Sequence, residues 1–109
     1  MSKYKAKKTI IDGITFDSKK EANYYCELKM RRFAGEINDF DLQVTFELQP
    51  SFKYQGKTIR AIKYIADFVI QHKDGSEEVI DVKGMRTETY KVKKKLFQFK
   101  HPNVKFTEV

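Results

Sequence analysis

Residues 18 to 34 carry apolar side chains at the three- and four-residue steps of an amphipathic helix. Ser18 can cap the first turn, and Gly35 is placed to end the helix in the left-handed conformation. We therefore predict a helix over residues 18 to 34. Its predicted apolar face consists of Ala22, Tyr25, Cys26, Met30 and Phe33.

A second helical pattern lies near the end of the chain. Thr87 or Thr89 can cap this helix, which ends before Pro102. Its predicted apolar face consists of Val92, Leu96 and Phe99, at positions i, i+4 and i+7.

The remaining segments have the composition and turn signals of β-strands. Short extended segments are predicted around Asp12-Gly13 and Gln55-Gly56, longer strands over 58 to 72 and 77 to 83, and a last strand in VKFTEV. The run from 64 to 70 is apolar on both faces, which is typical of a central strand covered on both sides. Its two faces are predicted to be Tyr64, Ala66, Phe68 and Ile70 on one side, and Ile65 and Val69 on the other.

This order of elements predicts an α/β (α+β) fold in which a mixed central β-sheet is flanked by helices. At 109 residues the chain is expected to form a single domain, residues 1–109. No stretch approaches the length of about 18 apolar residues that a membrane span requires. The first residues lack a signal-peptide pattern, so a cytoplasmic location is expected.

The charge balance bears on partners. The chain has 22 basic and 15 acidic residues and a net charge of +7, which suits a polyanion such as DNA and equally a solvated surface. A single cysteine excludes an internal disulfide, and with two histidines the chain has no cluster of zinc-binding spacing. Composition alone leaves both interpretations of the charge open.

Three charged residues interrupt the apolar strands on either side of the turn HKDGSE: Asp67, Asp81 and Lys83. A two-residue turn would send the two acids to opposite faces, because side chains in a strand alternate with period two. A three-residue loop ending at a left-handed Gly75 pairs His72 with Ser76 and sets Asp67 opposite Asp81, with Lys83 on the same side. The position of the glycine favours the second register.

Acids gathered on one face in this way can be compensated by a cation or by the lysine. Carboxylate oxygens suit Mg²⁺ or Mn²⁺, which can lower the pKa of a bound water and offset charge on a phosphate while Lys83 orients the water. That chemistry is phosphodiester hydrolysis. The alternative is an internal salt bridge between Lys83 and one aspartate, which the bare spacing D-x13-D-x-K favours because chance readily supplies it.

The pair Ala66-Asp67, followed by Asp81-Val82-Lys83 on the neighbouring strand, resembles the motif of the PD-(D/E)XK nuclease superfamily. Alanine stands in place of the proline. Over nearly the whole chain the outline resembles a short phage-associated branch, similar to branched-DNA resolvases of the endonuclease I type. The resemblance implies a restriction-endonuclease-like core, Mg²⁺-dependent cleavage of DNA, branched or recombination-intermediate substrates, and the host cytoplasm if the protein is phage-encoded.

The resemblance also implies site residues beyond the motif. Many members carry a glutamate on the preceding helix, and Glu21 occupies that place. The implied metal ligands are Glu21, Asp67, Asp81 and the backbone carbonyl of Val82, with Lys83 completing the catalytic set and Gln98 supporting it. Glu21 also fits a capping box with Ser18, in which its carboxylate returns to the backbone amide of the cap.

Basic residues on or near the two helices are the predicted contacts with the DNA backbone: Lys19, Lys20, Arg86, Lys91, Lys94 and Lys95. A competing interpretation is a noncatalytic DNA-binding module that retains the nuclease fold, with its acids paired to Lys83 or Lys63. A basic phage structural or RNA-associated protein is a third. Cutting two strands with one active site per chain is compatible with a homodimer.

Overall fold

The computed structural model describes residues 7–82 and 86–109. Its elements are β1 (Thr9–Ile11), β2 (Ile14–Phe16), α1 (Lys19–Phe33), β3 (Ile37–Gln49), β4 (Phe52–Tyr54), β5 (Lys57–Ile59), β6 (Ile62–His72), β7 (Glu77–Asp81), α2 (Glu88–Lys100) and β8 (Lys105–Glu108). The predicted class, a mixed central sheet with flanking helices, is confirmed. No helix within the described ranges is long and apolar enough to cross a membrane.

Four strands form the central sheet in the order β3-β6-β7-β8. The first two pairings are antiparallel, and β7 and β8 are parallel because α2 carries the chain back across the sheet between them. The predicted strand over 58 to 72 is divided into β5 and β6, and β7 ends at Asp81 rather than at 83.

Two small hairpins, β1-β2 and β4-β5, lie outside the central sheet. Each turns through two residues at positive φ, Asp12 and Gly13 in the first and Gln55 and Gly56 in the second. Positive φ at both central residues is the requirement of a type I′ turn, whose twist matches that of the paired strands.

Helix α1 has the predicted bounds to within one residue. The Ser18 hydroxyl accepts a hydrogen bond from the backbone amide of Glu21 at 3.0 Å, and Gly35 follows the helix at φ +77°. The predicted apolar face is correct for its first half and wrong for Met30 and Phe33, which are 72% and 95% exposed.

The face that α1 buries is Glu21, Ala22, Tyr25 and Leu28. A helix turns by about 100° per residue, so Met30 lies about 160° around the axis from Leu28, on the opposite side. The apolar character of the last turn therefore does not indicate the buried face.

Helix α2 is capped by Thr87, one of the two predicted caps, and ends at Lys100, before Pro102 as predicted, but it buries a different face. Tyr90 and Phe97 are buried, whereas the predicted core residues Val92 and Phe99 are 55% and 84% exposed and Leu96 is half-buried. Lys93 and Lys94, between these two aromatic residues, are half-buried and interrupt the apolar pattern in the sequence. Long lysine side chains can cover apolar surface with their alkyl stems while the charge reaches water.

The two helices cover opposite faces of the sheet, and each has its own core. Phe68, Ile70 and Ile80 pack in the core of α1, whereas Tyr64, Ala66, Val69 and Val79 pack in the core of α2. Even-numbered residues of β6 therefore change face between Ala66 and Phe68. The prediction that Tyr64, Ala66, Phe68 and Ile70 share one face is wrong, and Ile65, predicted to be covered, is 54% exposed.

The cause of this reversal is a local irregularity between β3 and β6. The ladder runs from Leu42 opposite Phe68 directly to Val44 opposite Ala66, passing over Gln43 and Asp67. Gln43 has φ +51°, which a strand residue does not ordinarily adopt. The twisted backbone at this crossing exchanges the two faces, and it places Asp67 at the point of exchange.

Candidate active site

The turn between β6 and β7 adopts the predicted three-residue form. The backbone amide of His72 donates to the carbonyl of Ser76 at 2.9 Å, and Gly75 has φ +88°. The ladder ends with Phe68 opposite Ile80, so Asp67 and Asp81 come directly after its last pair, in the predicted alignment. The predicted register is confirmed over the paired residues from Phe68 to His72, and both acids line one groove of about 290 Å³ beside the start of α2.

Asp67 is held by the backbone that follows β7. Its Oδ2 accepts a hydrogen bond from the amide of Val82 at 2.7 Å. A carboxylate that accepts a hydrogen bond from a backbone amide is held in a fixed orientation. The two halves of the predicted motif are thereby tied together across the strands.

Asp81 is almost fully buried, with 2% of its surface exposed. Its Oδ2 accepts a hydrogen bond from the hydroxyl of Tyr64, a residue that sequence reasoning placed in the core without a role at the site. Burial, and then the bond to Asp81, raise the pKa of the Tyr64 hydroxyl, which keeps it in the donating form. The predicted regular alternation of β6 does not bring Tyr64 to the acids, and the reversal of faces at Asp67 does.

Glu21 reaches the site from the first turn of α1 and is 7% exposed. Its Oε1 accepts a hydrogen bond from Nε2 of Gln43 at 3.2 Å, and Gln43 stands across from Asp67 at the irregular point of the sheet. The backbone amide of Glu21 makes one half of the predicted capping box, while its carboxylate bonds to β3. Glu21, Asp17 and Gln43 line a second groove, of about 440 Å³.

The whole sequence, residues 1–109, matches the model of a family described as "Protein of unknown function (DUF1064)". The chain belongs to this family. A comparison with curated proteins returned no match. Because the description of DUF1064 assigns no activity, the chemistry of this site rests on its residues and their geometry.

The three acids of this DUF1064 chain are electrostatically coupled. Burial, and then the charges of Asp67, Asp17 and Asp81, raise the pKa of Glu21 to about 7. The bond from Gln43 acts in the opposite direction and favours the ionised form. Carboxylates that hinder one another's ionisation mark a place where a cation would be stabilised.

The donor chemistry of this cluster suits Mg²⁺ or Mn²⁺, since all three side chains offer hard oxygen ligands. Within residues 7–82 and 86–109, no three Asp, Glu, His or Cys side chains form a group that could hold a metal ion. Asp67 and Asp81 share a groove, and Glu21 lines the adjacent one. Coordination by all three would therefore require their side chains to turn toward one another.

The predicted catalytic lysine, Lys83, lies outside the described residues. Of the predicted DNA contacts, most gather at a third groove of about 320 Å³ on α2, lined by Arg86, Lys91, Lys94, Lys95 and Gln98 together with Tyr90 and Glu108. Lys19 and Lys20 lie apart from it, exposed on the first turn of α1 beside Glu21.

Glu108 is a charged residue of this region that sequence reasoning missed. It is the register neighbour of Asp81 in the parallel pair β7-β8. Its carboxylate accepts hydrogen bonds from the Tyr90 hydroxyl at 2.6 Å and from Nε of Arg86 at 3.2 Å, and Nζ of Lys94 lies 3.4 Å away. The bond from Tyr90, followed by the charges of Lys94 and Arg86, lowers the pKa of Glu108.

Glu108 joins the basic groove to the acidic one, because Asp81 lies beside it on the next strand. Its position depends on β8 running parallel to β7. Neither the spacing of the acids nor the turn signals indicates that pairing.

Proposed function

We propose that this chain is a metal-dependent endodeoxyribonuclease that hydrolyses DNA phosphodiester bonds, with branched or recombination-intermediate DNA as its substrate. The observation that carries the proposal is that Asp67 and Asp81 line one groove, together with a buried Glu21 whose ionisation their charges oppose. A purely structural cluster of acids would gain nothing from this arrangement, because each like charge raises the free energy of the others.

In the proposed site Glu21, Asp67, Asp81 and the carbonyl of Val82 hold Mg²⁺ or Mn²⁺. When bound, the cation lowers the pKa of a coordinated water and offsets the charge that develops on the phosphate. Lys83, two residues after Asp81 in the chain, keeps the role of orienting the water that the resemblance to PD-(D/E)XK nucleases implies.

Neighbouring residues of the chain orient the proposed ligands. The Tyr64 hydroxyl fixes one oxygen of Asp81, and the Val82 amide fixes one oxygen of Asp67. The hydrogen bond from Gln43 orients the Glu21 carboxylate and favours its ionised form. Pre-oriented ligands lower the cost of assembling a charged site when metal and substrate arrive.

Basic residues on both sides of the acids suit a phosphate backbone. The groove on α2 supplies Arg86, Lys91, Lys94 and Lys95, and the first turn of α1 supplies Lys19 and Lys20. Phosphate contacts of this kind position a nucleic acid without reading its sequence. Gln98 lies in the same groove as the α2 lysines and belongs to the proposal as a supporting residue.

A noncatalytic DNA-binding module is the second candidate. The observation that favours it is that the described residues contain no group of three side chains that could hold a metal ion. Such a module would retain the basic groove and bind DNA equally well with or without a divalent cation. A DNA cleavage assay distinguishes the two functions.

The experiment compares cleavage of a four-way junction, linear duplex and single-stranded DNA, with Mg²⁺ or with chelator. The variants are Asp81→Asn and Lys83→Ala, and the matched control is Glu77→Gln, an exposed acid on the same strand as Asp81. We expect Mg²⁺-dependent cleavage by the wild type and the control. Asp81→Asn should lower the rate by about 100-fold or more, since a catalytic metal supplies several kcal/mol of transition-state stabilisation.

Cleavage that persists in chelator, or that Asp81→Asn leaves unchanged, contradicts the proposed mechanism. Binding without cleavage on all three substrates supports the DNA-binding module instead.

A further inference from the structure

The β4-β5 hairpin is a ribbon whose six strand residues are all exposed. Among them are three large apolar side chains, Phe52, Tyr54 and Ile59, with 45%, 60% and 38% of their surface in contact with solvent. A two-stranded hairpin is marginally stable by itself, and apolar side chains gathered on an exposed one mark an interaction surface.

One face of the ribbon carries both aromatic rings. Phe52 stands opposite Ile59 and Tyr54 opposite Lys57, so these four side chains share a face. Lys53 and Thr58 form the other face. The tight turn at Gln55 and Gly56 sets the register of the two strands.

The charge around the ribbon has one sign. From Leu48 to Ala66 the chain contains four basic residues, Lys53, Lys57, Arg60 and Lys63, and no acidic residue. Two copies meeting through this hairpin would bring these like charges together, which disfavours a second copy as the occupant. A polyanion with flat apolar groups suits both the charge and the rings.

The ribbon is also continuous with the acidic groove. β5 leads within three residues into β6, where Lys63 and Ile65 line the same groove as Asp67 and Asp81. The hairpin therefore joins directly onto the end of β6 that lines this groove.

We propose that the β4-β5 hairpin binds unpaired bases of DNA next to the site of cleavage. Phe52 and Tyr54 stack against the bases, and Lys53, Lys57 and Arg60 contact the phosphates. Aromatic rings interleaved with cations bind single strands without regard to sequence, because every base has an apolar face. The inference deepens the proposed nuclease function by naming a DNA with a single-stranded segment as the substrate, and binding by the hairpin requires no cleavage.

The first test measures binding in chelator, so that no DNA is cut. The probe is a duplex with a single-stranded tail that carries 2-aminopurine, and a blunt duplex is the comparison. We expect the double variant Phe52→Ser, Tyr54→Ser to bind the tailed DNA about tenfold more weakly or worse, and to lose the stacking-induced change in 2-aminopurine fluorescence. Phe33→Ser, which removes a ring that is 95% exposed on α1, is the control and should bind as the wild type does.

The second test measures the salt dependence of binding to the same tailed DNA. The triple variant Lys53→Gln, Lys57→Gln, Arg60→Gln should reduce the slope of log K against log salt by about 2, since each single-strand phosphate contact contributes about 0.7. Lys73→Gln, in the turn at the other end of β6, should leave the slope unchanged.

Wild-type binding by the double and triple variants would overturn the inference. So would sedimentation that shows a wild-type dimer converted to a monomer by the double variant, since the occupant would then be a second copy. If the wild type cuts DNA and the double and triple variants bind and cut as it does, the hairpin inference alone is refuted. A wild type that binds the tail through the hairpin but never cuts refutes the nuclease alone.

Discussion

Replacing Glu21 with glutamine tests the electrostatics of the acidic site. In the folded chain burial, and then the charges of Asp67, Asp17 and Asp81, raise the pKa of Glu21 from 4.5 to about 7. Glutamine has nearly the same shape and keeps a carbonyl oxygen that can accept the hydrogen bond from Gln43. The substitution therefore removes a charge and changes little else.

The magnitude and its pH dependence follow from the pKa of Glu21. Because the folded chain binds this proton more tightly than the unfolded chain, the contribution of Glu21 to the free energy of unfolding falls as the pH rises from about 4.5 to about 7. A rise from 4.5 to about 7, at about 1.4 kcal/mol per pKa unit, corresponds to about 3 kcal/mol. Water in the adjoining open groove screens the charge and reduces this to about 1–2 kcal/mol.

We therefore expect Glu21→Gln to be as stable as the wild type at pH 4 and about 1–2 kcal/mol more stable at pH 8. Urea unfolding measures the difference, followed by far-ultraviolet circular dichroism because the chain has no tryptophan. Glu77→Gln, which removes an exposed carboxylate from β7, is the control and should show no such gain. Equal stability at pH 8, or a difference that does not change between pH 4 and pH 8, would refute the electrostatic account.

Two further substitutions examine the residues that sequence reasoning missed. Tyr64→Phe removes a hydrogen bond to the buried carboxylate of Asp81 and should lower the free energy of unfolding by about 1–3 kcal/mol. The control, Tyr54→Phe in the exposed hairpin, should have no effect. Equal effects of the two substitutions in urea unfolding would contradict the stabilising role of the bond between Tyr64 and Asp81. Glu108→Gln removes the negative charge beside two basic side chains of the α2 groove. DNA should then bind more tightly, with a slope of log K against log salt that is steeper by about 1–2. The control is Glu36→Gln, which should bind as the wild type does. A wild-type slope for Glu108→Gln would show that Glu108 does not restrain those basic side chains.

The features that sequence predicted correctly are those that short-range chemistry determines. Gly75 can take a positive φ, and this fixes the three-residue loop and with it the register of Asp67 and Asp81. Ser18 and Gly35 bound α1 because capping depends on neighbouring backbone groups. In each case the residues that decide the structure are within a few positions of one another.

The features that sequence missed depend on contacts between distant segments. The buried face of α2 is set by an aromatic cluster that includes Phe46 and Phe106, and in the sequence of the helix itself lysines interrupt that face. Glu108 joins the site because β8 pairs in parallel with β7. Hydrophobic periodicity within one element contains neither kind of information.

The reversal of faces at Gln43 and Asp67 accounts for how the site is assembled. Glu21 belongs to the helix that covers one face of the sheet, and Asp81 lies on the other face beside Tyr64. In a strand with regular alternation these acids would be separated by the sheet. Because the backbone twists at this crossing, Asp67 lies where the two faces exchange. On one side its charge raises the pKa of Glu21, and on the other it lines the same groove as Asp81. The left-handed conformation of Gln43 costs of order 1 kcal/mol, and strain of this kind persists where surrounding contacts enforce it, as the hydrogen bond from Gln43 to Glu21 does here.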